Sequence, residues 1–285
     1  MAATNRAVVV QHNLTYTLKT EDHFCSEHVA AFAADEEALF MSVKIAIIGA
    51  GAIGERHLQA AQANGIAVGW VIDQQLDRAT ALADACKAQA ATQPEAVWQD
   101  ASVDAVVIGV PNWLHKPLAV AALRAGKDVL LEKPMGLNQA ECDEINAAAA
   151  QAGRFVQVGL VHRYSPVVRE ARRIFEAGDL GPVYHVKTQM YRRRGVPGLG
   201  GWFTTKAKSG GGALIDIGVH LLDIGMHLSG FQQPVEVAGQ AYSIFGRRMK
   251  DYVYEDMWAG PPNYDGVCDV DDSVAALIRY ANDLT

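Results

Sequence analysis

At 285 residues the chain has room for about two domains of roughly 100 to 200 residues, each able to bury its own core. Half of the residues are apolar and 20% are charged, which excludes wholesale disorder and a disulfide-stapled miniprotein. The 25 Lys and Arg against 32 Asp and Glu give a formal charge of −7, so there is no broad basic field for a phosphate backbone and nucleic acid is not expected as a partner.

Residues 1–40 show no clear hydrophobic period and read as an extension that need not be native, with Met41 as the natural start. A small helix over residues 27–40, packed on the following domain, is the alternative. The N-terminus lacks a basic segment followed by an apolar core, and no run approaches the ~18 consecutive apolar residues of a membrane span. No membrane partner is expected, and the cytoplasm is the default location. Cys25, Cys86, Cys142 and Cys268 are scattered without a CxxC pair, so they read as ordinary thiols.

From residue 43 onward, short apolar runs at 43–48, 68–72, 105–110 and 128–131, with a further one at 155–158, alternate with Ala-rich helical segments. Runs without period-two alternation are buried on both faces, as parallel strands covered by helices must be. Residues 41–162 are therefore expected to form a dinucleotide-binding domain, a Rossmann doubly wound parallel sheet of α/β class.

Gly49-Ala50-Gly51-Ala52-Ile53-Gly54 directly follows the first strand and opens a helix. In that context Gly49 supplies a tight turn, Gly51 lets a pyrophosphate approach the backbone, and Gly54 permits close helix-on-strand packing. Asp73, at the end of the next strand, can accept hydrogen bonds from an adenosine ribose diol and would repel a 2′-phosphate. NAD is thus the expected cofactor, with NADP the alternative because Arg78 stands five residues on.

Two more strand ends lead to Pro111-Asn112-Trp113-Leu114-His115 and to Glu132-Lys133-Pro134. In open α/β sheets ligands bind just beyond such ends, so Pro111, Asn112, His115, Glu132 and Lys133 are expected to border the cofactor. His115 is expected to pack beside it rather than do chemistry. Lys133 is notable because a strongly hydrated ammonium normally stays in solvent, which is the bland reading of it.

Beyond residue 163 the pattern changes to a helix at 165–177, a long strand at 183–192, a Gly-rich loop, a helix at 215–228 and strand-like runs at 235–245 and 273–280. This predicts a second domain over 163–285, of α+β class with an open, mostly antiparallel sheet. Asp216, His220, Asp223 and His227 recur at steps of four, three and four, which puts a polar stripe along one helix face. Surface solvation, metal ligation and an acid/base site are the three readings of such a stripe. No third ligand with matching spacing is evident, so no metal is expected. Gly210, Gly211 and Gly212 let the first turn of this helix approach another backbone or a ligand. In the loop running from Tyr191 to Trp202, Arg194 and Trp202 are candidates to line a substrate pocket, and Arg163 and Tyr164 are weaker ones; a flexible, solvated loop is the alternative.

Taken together, GAGAIG at 49–54, PNWLH at 111–115, EKP at 132–134 and GGGALIDIGVHLLD at 210–223 resemble the Gfo/Idh/MocA oxidoreductases. The resemblance runs from Met41 to the end of the chain, and it implies that residues 163–285 are a substrate and oligomerisation domain. It implies NAD(P)-dependent oxidation of a secondary hydroxyl on a small-molecule polyol such as a sugar, sugar derivative or cyclitol. Lys133, Asp216 and His220 match the lysine, aspartate and histidine treated as catalytic in the family. Chemically, His220 suits the base that takes the hydroxyl proton, Asp216 would orient it or the substrate, and Lys133 would stabilise the developing alkoxide, provided that the stripe meets the nucleotide crevice. Family members usually continue through further strands, so the C-terminal domain is expected to be incomplete. A homo-oligomer, dimer or tetramer, is expected only with the full sheet. An inactive or regulatory NAD-binding protein and an NAD-assisted glycosidase of the same fold are the competing readings.

Overall fold

The computed structural model describes residues 43–178, 180–192, 197–251, 253, 261–281 and 284–285; the readings of residues 1–40, of Met41 as the start, and of Arg194 lie outside them. The chain divides into two compact units. The first takes the residues up to Val110, then His115–Glu132 and Asp143–Val158. The second takes Pro111–Leu114, Lys133–Cys142 and Gly159–Thr285.

In chain order the first elements are β1 (Lys44–Ile48), α1 (Ala52–Ala63), β2 (Ala67–Ile72), α2 (Leu76–Asp84), β3 (Gln89–Ala91) and α3 (Glu95–Gln99). They are followed by β4 (Ala105–Ile108), α4 (His115–Arg124), β5 (Asp128–Leu131), α5 (Gln139–Ala152) and β6 (Val156–Val158). The six strands form one parallel sheet in the order β3-β2-β1-β4-β5-β6. Its apolar strands are buried because helices cover them: Ile45, Ile47, Ala105 and Val107 pack with Leu58, Ala61 and Ile66, while Val71 packs with Ala79 and Ala83. Each fully buried Ile, Leu or Val contributes about 1.5–3 kcal/mol relative to an exposed one. The order reverses between β1 and β4, and their carboxyl ends therefore flank the switch point at which doubly wound sheets bind ligands. Hydrogen bonds carry the sheet past both strand ends, from Gly49 N to Ile72 O at 2.7 Å and from Gly109 N to Ile48 O at 2.8 Å.

The second unit carries α6 (Pro166–Ala177), a helical turn α7 (Lys206–Ser209), a π-turn over Leu214–Gly218 that runs into α8 (Val219–Ser229), β7 (Pro234–Tyr242) and β8 (Ser273–Tyr280). Helix α6 starts where Ser165 Oγ accepts from Val168 N, has Pro166 at its first position, and ends on Gly178 in the left-handed conformation at φ 75°. Strands β7 and β8 pair antiparallel. The strand expected at 183–192 is not formed. Among the described residues, its backbone bonds outside the segment are to Thr285, from Val186 N to Thr285 O at 2.8 Å and from Thr285 N to Tyr184 O at 3.2 Å. A strand needs a neighbour that answers successive N–H and C=O groups, and β-rich composition alone does not supply one.

Residues Lys206–Ser229 have the length and mean hydropathy, 1.2 over 18 residues, of a segment able to cross a bilayer. Both carboxylates on this stretch are ion-paired, Asp216 with Lys133 and Asp223 with Arg163.

Candidate active site

In the first unit the glycine turn is built by two different constraints. Gly49 sits at φ +103°, and a Cβ there would fall 2.4 Å from Gly109 O; a Cβ on Gly54 would fall 1.9 Å from Gly49 O. Packing within the protein therefore demands glycine at both. A Cβ on Gly51 would meet no heavy atom of the described residues within 4 Å, so nothing among them requires glycine there. Gly51 is the N-cap of α1 with no side-chain cap, which leaves first-turn N–H groups for an anion. A bare backbone at that point fits a diphosphate, and the turn as a whole fits a dinucleotide. Ala52 is exposed, and the side chain of Ile53 backs the turn at Gly109.

Asp73 follows β2, where Oδ2 accepts from Ala50 N at 2.9 Å and Oδ1 from Gln75 N at 2.9 Å. The carboxylate is thus tied to the glycine turn, and each oxygen keeps acceptor capacity for a ribose diol. Glu132, just past β5, has Oε1 2.9 Å from Nε2 of His57 on α1. His115 is fully buried, with Nε2 2.9 Å from Val110 O.

In the second unit Lys133 Nζ donates to Asp216 Oδ1 at 2.8 Å and to Asp216 O at 2.9 Å. The Lys133–Pro134 peptide is cis. The two side chains are 20% and 17% exposed, so the ammonium is held inside the unit by a charge that compensates it. Asp216 lies in the π-turn, in which Val219 N–H reaches Leu214 O, and the regular helix expected here is widened at that point. His220 follows four residues on, in the first turn of α8, and is 9% exposed. The stretch starts on Asp271, whose Oδ1 accepts from Gly212 N at 2.8 Å, whose Oδ2 accepts from Leu214 N at 2.9 Å and whose carbonyl accepts from Ala213 N at 2.9 Å. A Cβ on Gly212 would fall 1.8 Å from Asp271 O, so the glycine run serves close approach to another backbone.

Further along the stripe, Arg163 Nε donates to both oxygens of Asp223, at 2.9 and 2.8 Å, and Nη2 donates to Oδ1. This pairing raises the Arg163 pKa against the effect of its burial. Tyr164 ends the same turn. His227 lies near Arg163 and Arg172, and burial first, then those two cations, lowers its pKa. Asn112 Nδ2 donates to Ser209 O at 2.8 Å, and the carbonyl of Pro111 accepts from Leu114 N at 2.9 Å. Trp202 meets Trp113 edge-on with ring centroids 5.8 Å apart, and Lys208 Nζ lies 5.5 Å from the Trp113 ring centre.

The structure thus joins Lys133 to Asp216 on the stretch that bears His220, and separately joins Arg163 to Asp223. Sequence reasoning passed over three residues that the structure puts at these places. His57 was assigned no role. Asp271 gave no local signal. His162, the residue before Arg163, has its ring 4.5 Å from that of His220.

Residues 43–160 match the family model described as oxidoreductase family, NAD-binding Rossmann fold, and residues 168–285 match the Gfo/Idh/MocA C-terminal domain. D-glucoside 3-dehydrogenase of Escherichia coli (strain K12) is 31% identical over 243 residues, covering 84% of this chain and 67% of that protein. Inositol 2-dehydrogenase 2 of Saccharopolyspora erythraea is 34% identical over 161 residues, covering 55% of this chain and 47% of that one. A crystal structure of an NAD-binding protein from Listeria innocua is 28% identical with a TM-score of 0.70, covering 85% of this chain and 65% of that one. The chain therefore spans about half to two thirds of the length of these proteins.

Proposed function

Because the chain belongs to the Gfo/Idh/MocA oxidoreductase family, we propose that it acts in NAD-linked oxidation of a secondary hydroxyl on a sugar, sugar derivative or cyclitol. Gly49, Gly51, Ala52, Ile53 and Gly54 would hold the diphosphate, and Asp73 the adenosine ribose, which favours NAD over NADP. When bound, the nicotinamide supplies the acceptor for the carbinol hydride.

His220 takes the hydroxyl proton, since imidazole is the side chain best matched to proton transfer near neutral pH. Lys133 donates to the reacting oxygen and stabilises the alkoxide that develops on it. Asp216 holds the ammonium in place from its carboxylate and its carbonyl. Trp202, next to Trp113, offers an aromatic face for the apolar side of a ring.

The Lys133–Asp216 pair is the observation that carries this reading. A half-buried ammonium, held four residues before an imidazole that is nine-tenths buried, is costly for a structural motif and useful for moving a proton. The test is absorbance at 340 nm on a panel of polyols and glycosides with NAD and NADP, with expected losses in kcat of about 10²- to 10⁴-fold in His220→Ala. Turnover unchanged in His220→Ala, or absent from the wild-type chain on the whole panel, overturns it.

A further inference from the structure

We propose that His162 is a positioning residue that fixes the ring plane of His220; the inference rests on the reading of His220 as the base. A histidine side chain has a broad, roughly two-fold torsion about its second bond, so a helix backbone places the Cβ without setting where the ring nitrogens point. A base whose nitrogen points wrongly is nearly useless, and a displacement of about 1 Å costs on the order of 10²-fold. Something must therefore hold the plane of the His220 ring.

The single turn over Val161–Tyr164, directly after β6, does this by a two-point hold on α8. The first point is Arg163, whose guanidinium grips both oxygens of Asp223, a residue 7% exposed and three positions after His220 on the same helix. The guanidinium also lies 4.9 Å from the centre of the Phe231 ring, so it is fixed on two sides. The second point is the neighbouring residue. With Arg163 anchored, His162 brings its ring edge-on to that of His220, at a centroid separation of 4.5 Å and an interplanar angle of 87°. The perpendicular contact opposes rotation of the His220 ring, because a flip toward coplanarity would drive one ring edge into the other. Arg163 accordingly acts through Asp223 in setting this geometry.

Three variants of the full chain test it. His162→Phe keeps a ring of similar breadth, His162→Gln keeps a polar group without a ring, and His162→Ala keeps neither. We expect His162→Ala and His162→Gln to lower kcat by about 10-fold or more with KM changed less than about 2-fold, and His162→Phe to recover to within about 3-fold of wild type. Equal activity in all three overturns the proposal, as does recovery by Gln and not by Phe, which would assign His162 to handling a proton.

A second readout is independent of turnover and separates failure of this inference from failure of the base assignment. The Hε1 resonance of His220 is expected to broaden or split in His162→Ala and to stay single in His162→Phe. A resonance of unchanged width in His162→Ala overturns the positioning role whether or not the protein oxidises a polyol.

Discussion

Lys133 is bound twice by one residue, with Nζ 2.8 Å from Asp216 Oδ1 and 2.9 Å from the carbonyl oxygen of Asp216. The carbonyl bond depends on the π-turn that presents it, and the carboxylate bond depends on charge. Only the second can be removed by changing the Asp216 side chain alone. Asp216→Asn is expected to lower stability by about 1–2 kcal/mol, less than the 3–5 of a fully buried pair because both side chains keep some solvent. The double variant with Lys133→Met is expected to lose less than the sum of the singles, by about 1 kcal/mol in urea unfolding. Strict additivity would mean that the pair does not hold.

Gly54 and Gly51 of the first turn are expected to respond differently to alanine. Gly54→Ala places a Cβ 1.9 Å from Gly49 O and should cost about 3 kcal/mol or more, because backbone atoms cannot swing away. Gly51→Ala meets no heavy atom of the described residues, so its melting temperature should match wild type. It should nevertheless weaken NAD binding about 10-fold or more in calorimetry, since the methyl would stand where the proposed diphosphate site lies. Equal effects of the two substitutions on stability would remove the distinction.

Most of the nucleotide-binding sheet was legible because parallel strands buried on both faces are written as unbroken apolar runs. Residues Lys44–Ile48 and Ala105–Ile108 are of this kind. Strand β3 escaped notice because Gln89–Ala91 is three residues long and has no β-branched side chain. The helix stripe was legible as a period, but the π-turn was not, since an i→i+5 turn carries no residue signature of its own. Residues 183–192 carry strand composition and lack a ladder partner among the described residues, and pairing is a property of neighbours that one segment cannot express. Asp271 and His162 act across loops, at separations for which sequence spacing carries no signal.

A surface carboxylate gives a pH prediction in the first unit. Asp100 accepts from Ser102 Oγ at 2.6 Å, from Trp70 Nε1 at 2.9 Å and from Ser102 N at 2.9 Å. The Ser102 hydroxyl foremost, and then the Trp70 indole, hold its pKa down to about 2. A depressed carboxylate stabilises the fold above its unfolded value and ceases to do so as pH falls through the folded value. The Asp100 carboxyl carbon is expected to titrate near 2 by NMR, and Ser102→Ala to move it upward toward the ordinary range of about 3.9. The stability gap between Ser102→Ala and wild type should be full at pH 6 and should close as pH approaches 2.

His227 predicts a second pH effect, at higher pH and in the other unit. Burial disfavours its imidazolium most, and Arg163 and Arg172 add to this, outweighing Asp223 and Glu176. Its folded pKa therefore lies below the unfolded value of about 6.5, and the unfolded chain binds the proton more readily. The associated stability is complete above about 6.5 and declines as pH falls below it toward the folded value. His227→Phe cannot be protonated, and it keeps a ring beside Phe231, whose centroid lies 6.0 Å from that of His227. Melting temperatures of wild type and variant compared from pH 8 to pH 5 should diverge in favour of the variant as pH falls. Parallel curves would show that the His227 imidazole is free to protonate in the folded chain, and that the two arginines do not act on it as their positions require.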